Sequence, residues 1–305
     1  MNILVTGVSG YVGSLVVPRL LRDGHHVTGL ARTPQSLPAE IPIFEGDAIS
    51  GRGLDRALEG VEVAYFLIHS MERAGANGFA AREQMAAERF AAAASATGVK
   101  RIVYLGGLIP YGGPRSSHLA SRLEVERILL QGAPSSVALR ASIVIGARSR
   151  PFRFLVRLVE RLPVLALPAW RDNLTTPIDE RDIAELLAQC ATSDLVGGRS
   201  LDAAGPDVVS YGELIGRIGD AMLVERATLR LGRLTLTPIA SHIATVIAGE
   251  EYELIGPLME SLASDLLPRD GEDAAQLLKV RLHSLRAAIE RSLRIWEQTE
   301  RLAAR

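Results

Sequence analysis

Glycines at positions 7, 10 and 13 fall within NILVTGVSGYVG, residues 2–13. The run NILVT (2–6) ahead of them is continuous, apolar and of strand length. Behind them, YVGSLVVPRLLRDG (11–24) has helical periodicity, with Gly24 as a C-terminal stop and Pro18 as a departure that kinks or shortens the helix. Strand, glycine turn and helix are therefore expected in that order. Glycine allows a tight turn, close approach of backbone to a diphosphate, and close helix–strand packing. The helix start adds open N–H groups and a positive dipole end. In this context Gly-x-x-Gly-x-x-Gly implies a dinucleotide site, with Gly7, Gly10, Tyr11, Val12 and Gly13 facing the phosphates. A purely structural turn is the alternative.

The alternation continues downstream. Strands are expected at HVTGLA (26–31), IPIFEGD (41–47), VEVAYFLI (61–68), KRIVYLGG (100–107) and SSVALRAS (135–142). Helices are expected at GLDRALEG (53–60), FAAREQMAAERFAAAASATG (79–98) and SHLASRLEVERILLQG (117–132). This order predicts an α/β fold: a doubly wound, Rossmann-like parallel sheet covered on both faces. Residues 1–150 form the expected dinucleotide-binding core. Residues 151–305 form a smaller, mostly helical C-terminal lobe for substrate or partner, partly interleaved with the core. Within it, 178–191 and 210–222 read as amphipathic helices, with Asp179 near the start of one and Ser210 as the N-cap of the other. Residues 223–305 read as mostly helical.

The net charge of -1 gives no global field for nucleic acid or an anionic membrane, although RATLRLGR (226–233) is locally basic. Cys190 is the one cysteine and reads as a small buried residue, and the six histidines lack metal-ligand spacing, so no metal is expected. The chain opens directly on a strand pattern rather than a leader. The apolar stretch 234–249 is broken by Pro238, Ser241 and His242 and is shorter than the about 20 residues needed to span a bilayer. No membrane span and a cytoplasmic location are the expectations.

The end of the second strand selects the nucleotide. An NAD site usually places Asp or Glu there to hold the ribose hydroxyls. The segment GLARTP instead offers Arg32, which can clamp a 2′-phosphate, so NADP is favoured over NAD. A solvated loop charge is the alternative. After the third strand, Asp47 is placed to accept from the adenine amino group, with Ala48 beside the ring. A turn-forming aspartate is the alternative there.

Together these features resemble the short-chain dehydrogenase/reductase superfamily, and more closely its atypical, extended, NmrA-like branch of NAD(P)H-binding proteins. The glycines, Arg32 and GDA (46–48) carry the resemblance. So do AYFLIHSM (64–71), VYLGGL (103–108), LRASIVIG (139–146) and TPIDERDIAELL (176–187). It covers roughly residues 1–220, and 254–267 resembles an extra segment of some bacterial members. The resemblance implies that Leu67, Ile68 and His69 border the cofactor. It places Gly106 and Gly107 where catalytic members often carry serines, and Arg140–Val144, including Ala141 and Ser142, along the nicotinamide ribose. Trp170, Arg171 and Thr176 fall in the segment that shapes the substrate pocket.

Where catalytic relatives carry Tyr-x-x-x-Lys, this chain reads HLASR, residues 118–122. His118 and Arg122 share a helix face, and an imidazole can move protons near neutral pH. His118 and His69 are the candidate proton donors, and Arg122 is a candidate cofactor contact. Tyr104 and Tyr111 lie out of register. The charges of SRLEVER, including Glu124, Glu126 and Arg127, are spaced for a solvated face. Two functions stay open. One is an NADP(H)-dependent oxidoreductase that moves a hydride to or from a small organic substrate. The other is a non-catalytic NADP(H)-binding sensor or assembly protein. Its C-terminal helices would contact a second copy or another protein.

Overall fold

Adjacent residues of the central strands face opposite sides of one sheet, as a strand periodicity of two requires. The computed structural model describes residues 1–34, 41–68, 79–114, 116–167, 169–230, 262–269 and 271–300. In chain order the first elements are β1 (Asn2–Thr6), α1 (Tyr11–Arg22), β2 (His26–Ala31), β3 (Ile43–Glu45), α2 (Leu54–Leu58) and β4 (Val63–Phe66). Then come α3 (Phe79–Ala96), β5 (Arg101–Gly107), α4 (Ser117–Gln131), β6 (Val137–Ala141), β7 (Val144–Ile145) and α5 (Arg150–Arg161). They are followed by β8 (Val164–Leu167), β9 (Leu174–Thr175), β10 (Ile178–Asp179), α6 (Glu180–Thr192) and β11 (Arg199–Ala203). The last are β12 (Val209–Ser210), α7 (Tyr211–Ala221), β13 (Ala227–Arg230), α8 (Ala274–Leu278) and α9 (Leu285–Thr299).

The central sheet has seven strands in the order β11-β6-β5-β4-β1-β2-β3. Every pairing within it is parallel. Strand order runs one way from β1 through β2 to β3, and the other way from β4 outward. The gap between β1 and β4 is thus the switch point, where sheets of this kind bind ligands at the carboxyl ends of their strands. Thr6 seals that point. Its buried hydroxyl donates to the Tyr65 carbonyl at 2.9 Å and accepts from the Leu67 N–H at 3.2 Å.

Both faces are covered, which explains strands with so few polar residues. Ile3, Val5, Val63, Tyr65, Val103 and Leu105 pack against Val16, Leu20, Ile183 and Leu187 of α1 and α6. Leu4, Ala64, Phe66, Ile102 and Tyr104 pack on the other face against α2, α3 and α4. Cys190 is buried in the first of these cores, where loss of solvent pushes its thiol up to about 12. Pro18 does not break α1, which runs on to Arg22. A third core joins Phe152, Leu155, Val159, Tyr211, Leu214, Ile289 and Trp296 of α5, α7 and α9.

The C-terminal portion is helical in α5, α6, α7, α8 and α9, with extended segments between them. Among its described residues, β13 is a strand, and a strap at 262–269 runs across the ends of β9 and β11. Leu266 N–H donates to the Leu174 carbonyl at 2.8 Å, and Arg269 N–H donates to Asp202 at 2.7 Å. Of the basic run 226–233, Arg226 is not free to form a patch, because its guanidinium donates to the Val159 and Glu160 carbonyls. The stretch 234–249 and most of 254–267 lie outside the described residues. No helix among the described residues is long and apolar enough to cross a membrane.

Candidate active site

The parallel sheet gathers the candidate residues at one edge. The residues after β1, β2, β3, β4 and β6 all stand at the carboxyl ends of their strands. The glycine turn is built by steric need at two of its three positions. Gly7 has φ +68°, and a Cβ there would lie 2.5 Å from the Leu67 carbonyl oxygen, so β1 and β4 close only on glycine. A Cβ on Gly13 would lie 2.4 Å from the Gly7 carbonyl oxygen, so α1 seats on the turn only without a side chain. Gly10 is different: the nearest atom to a Cβ there is the Gly7 oxygen at 3.0 Å, on an otherwise open side.

That open side is the start of α1. Gly10 is its N-cap, and no side chain caps it. Side chains cap α4, α6, α7 and α9 (Ser116, Asp179, Ser210 and Ser284), whereas α5, like α1, has no side-chain cap. The N–H groups of Tyr11, Val12 and Gly13 have no intrahelical acceptor at these positions. Backbone donors, a positive dipole end and a side-chain-free approach together fit a diphosphate.

Arg32, after β2, is exposed. It can turn toward a 2′-phosphate without breaking an ion pair to any described residue. Asp47, after β3, is half-buried, and its Oδ1 accepts the Ile49 N–H at 3.1 Å, closing a local turn. Its second oxygen accepts no hydrogen bond from a described residue. Ala48 is only 2% exposed and belongs to the core with Leu54 and Phe66, so its methyl faces the interior rather than open space. Leu67 is buried and Ile68 half-buried at the end of β4. His69 lies outside the described residues.

On α4, Arg122 is buried. Its Nη2 donates to the Leu105 carbonyl at 2.5 Å, and its guanidinium lies 5.6 Å from the centre of the Tyr104 ring. Tyr104 is thus part of the support beneath Arg122, and burial pushes its hydroxyl up to about 12. Tyr111 is exposed. Burial, then the charge of Arg122, pushes His118 down to about 4. This changes the role expected of it. At neutral pH it is a neutral imidazole that can donate an N–H, not an imidazolium ready to give up a proton.

Around β6 the expectations divide. Ala141 is half-buried at the sheet edge, and the Ser142 hydroxyl meets the Thr175 hydroxyl at 3.0 Å. Arg140 turns away from the edge into a buried ion cluster, bonding Glu126 at 2.7 Å and Glu272 at 3.1 Å. Glu126 is 3% exposed, so it does not belong to a solvated face of α4; Glu124 and Arg127 do. Gly106 and Gly107, paired with Arg140 and Ala141 across the sheet, carry no hydroxyl themselves. Trp170 is half-buried and packs edge-on to Tyr211 at 6.2 Å between ring centres, a contact within the lobe.

The sequence reasoning missed one constellation beside the glycine turn. Tyr11 Oη donates to Glu180 Oε2 at 2.7 Å, and Arg291 Nη1 donates to Glu180 Oε1 at 2.5 Å. Burial, then the Glu180 charge, holds the phenol well above its usual range, so it stays a neutral donor. Gly146 was the available signal, since a Cβ there would lie 1.9 Å from Tyr11 Oη. Among the described residues, no cluster of His, Cys, Asp or Glu could hold a metal ion.

Residues 7–137 match the family model described as NAD(P)H-binding. A ceramide reductase of Caulobacter vibrioides is 24% identical over 273 residues, covering 87% of this chain and 86% of that protein. A (4-alkanoyl-5-oxo-2,5-dihydrofuran-3-yl)methyl phosphate reductase of Streptomyces griseus is 28% identical over 221 residues, covering 69% of this chain and 70% of the relative. An NADPH-dependent quinone oxidoreductase of Escherichia coli, solved with NADPH, superposes with a TM-score of 0.75 at 19% identity, over 95% of this chain and 99% of the other.

Proposed function

We propose that this chain, whose residues 7–137 belong to the NAD(P)H-binding family and whose fold is that of the atypical short-chain dehydrogenases/reductases, is an NADP(H)-dependent reductase of a small organic carbonyl. The observation that carries the reading is the uncapped start of α1 behind a turn that accepts only glycine at positions 7 and 13. Tyr11, Val12 and Gly13 hold the diphosphate with backbone N–H groups. Arg32 holds the 2′-phosphate, with no carboxylate at the end of β2 to repel it. Asp47 accepts from the adenine amino group. Arg122, braced by Leu105 and Tyr104, donates toward the ribose.

Bound at this edge, nicotinamide supplies the hydride. The protein supplies position and polarisation. His118, neutral at working pH, donates an N–H to the substrate oxygen, and water delivers the proton that finishes the reduction. Neutral imidazole is a weaker acid than imidazolium but still an effective hydrogen-bond donor. The names of the Caulobacter and Streptomyces relatives support a reductase.

A second reading is favoured by one specific absence. Residues 106, 107, 118 and 122 carry none of the serine, tyrosine and lysine groups of catalytic relatives. On that reading the chain binds NADP(H) as a sensor or assembly protein. One assay separates the two. NADPH is mixed with the chain, and loss of reduced nicotinamide absorbance is followed across a panel of aldehydes, ketones and quinones. The reductase reading expects turnover that falls at least about tenfold in His118→Ala. Tight NADPH binding without turnover across the panel overturns it in favour of the sensor.

A further inference from the structure

We infer that Arg291, on the C-terminal helix α9, is a positioning residue for the nucleotide diphosphate, acting through Glu180 and Tyr11. The inference rests on the dinucleotide reading above and extends it to a part of the chain remote in sequence from the glycine turn. Tyr11 is the first residue of α1, so its backbone N–H is one of the donors open to the phosphates. Its side chain leaves the turn and ends on Glu180, the first residue of α6. Glu180 in turn ends on Arg291.

The contact is built, not incidental. The Glu180 side chain is 9% exposed and each carboxylate oxygen has its own donor. A Cβ on Gly146 would lie 1.9 Å from Tyr11 Oη and 2.2 Å from Glu180 Oε2, so the backbone of residue 146 has yielded its side-chain space to this pair. The neighbouring acid Asp179 is already matched by Arg181 at 2.7 Å.

Electrostatics explains why a cation is required. Glu180 places a largely buried negative charge one tyrosine away from an anion site. Left alone, it would oppose diphosphate binding, because like charges in a poorly solvated region repel strongly. Arg291 neutralises it and fixes which oxygen faces Tyr11. Exposed Arg148, with Nη1 3.4 Å from the Ser14 hydroxyl on α1, adds positive charge on the same side. By linkage, a nucleotide that gains affinity from a docked α9 also holds α9 in place.

The test uses the whole chain and NADPH fluorescence titration. The variants are Arg291→Gln, Arg291→Lys, Tyr11→Phe, and Arg291→Gln combined with Glu180→Gln. Adenosine 2′-monophosphate, which has no diphosphate, is the control ligand. Arg291→Gln is expected to weaken NADPH binding about tenfold, and Tyr11→Phe about fivefold, as loss of charged and neutral hydrogen bonds respectively. Arg291→Lys and the charge-neutral double variant are expected to recover most of the loss. Binding of adenosine 2′-monophosphate is expected to stay within about twofold throughout, which general destabilisation would not allow. Wild-type binding with Arg291→Gln unchanged overturns this inference alone. A double variant as weak as Arg291→Gln overturns it too, as does an equal loss for the control ligand. No NADPH binding by the wild-type chain overturns the dinucleotide reading and this inference with it.

Discussion

The guanidinium of Arg140 forms a two-point contact with the carboxylate of Glu126: Nη2 lies 2.7 Å from Oε1 and Nε 3.0 Å from Oε2. Both side chains are nearly solvent-free, at 8% and 3% exposure. The pair joins β6 to α4, the helix that carries His118 and Arg122, so it helps to set the candidate catalytic helix against the sheet. Removing one partner of a buried pair costs about 3–5 kcal/mol when the other charge is left unpaired, and since Glu272 still bonds Arg140 at 3.1 Å the lower end of that range, about 3 kcal/mol, applies here. Glu126→Ala is expected to lose that much in urea unfolding. A loss below about 1 kcal/mol would show that the remaining acids, Glu272 and Asp202, suffice for Arg140.

Substitutions at the three glycines should separate folding from binding. Gly13→Ala drives a methyl into the Gly7 carbonyl, so both stability and nucleotide affinity should fall. Gly10→Ala meets only one close atom, so its melting temperature should move by a few degrees at most while NADPH affinity drops by at least about tenfold. Thermal melts paired with titrations check this. Equal nucleotide affinity in Gly10→Ala and wild type would mean that nothing approaches the turn from its open side.

Arg32→Ala should discriminate between nucleotides rather than weaken both. Loss of a charge-assisted phosphate contact costs about 1.5–3 kcal/mol, or roughly ten- to a hundredfold in the NADPH dissociation constant. NADH, which lacks the 2′-phosphate, should change by about twofold or less. Parallel losses for both nucleotides would assign Arg32 to the turn's structure instead.

His118 gives stability a definite pH dependence. Its folded pKa of about 4 lies below the unfolded value of 6.5, so between them the unfolded chain binds the extra proton. Its contribution is therefore complete above pH 6.5 and is lost as pH falls toward 4, with a slope approaching about 1.4 kcal/mol per pH unit. Asp202 acts in the opposite sense, because burial raises it to about 6, above its ordinary 3.8. The wild-type minus His118→Gln difference in unfolding free energy cancels the Asp202 term. That difference should shrink on acidification. A difference that is flat with pH would place His118 in solvent.

What could be read in advance follows how local each cause is. β1, the glycine turn and α1 are specified by neighbouring residues, and β1 and β2 span the expected residues 2–6 and 26–31. The Ser210 cap was readable for the same reason, and Asp179, expected near the start of its helix, is its N-cap. Strands at 41–47 and 61–68 proved shorter, 43–45 and 63–66, because a run of residues does not mark where pairing starts and stops: Pro42 has no N–H for a ladder, and Asp47 already belongs to the turn closed with Gly51 and Arg52. Glu126 was misjudged because the spacing of charges along α4 carries no sign that Arg140 arrives from beneath. The Tyr11–Glu180–Arg291 chain joins residues 169 and 111 positions apart, which no periodicity encodes. The pKa of His118 depends on burial, which the HLASR stretch does not express.

The central claim is that the open start of α1 and the Arg32 guanidinium together hold a phosphorylated pyridine dinucleotide. Isothermal calorimetry with the purified chain tests it most directly. Saturable heat is expected with NADPH and NADP at one nucleotide per chain, with at least about tenfold weaker binding of NADH. No heat with any of the three nucleotides, or tighter binding of NADH than of NADPH, would contradict it.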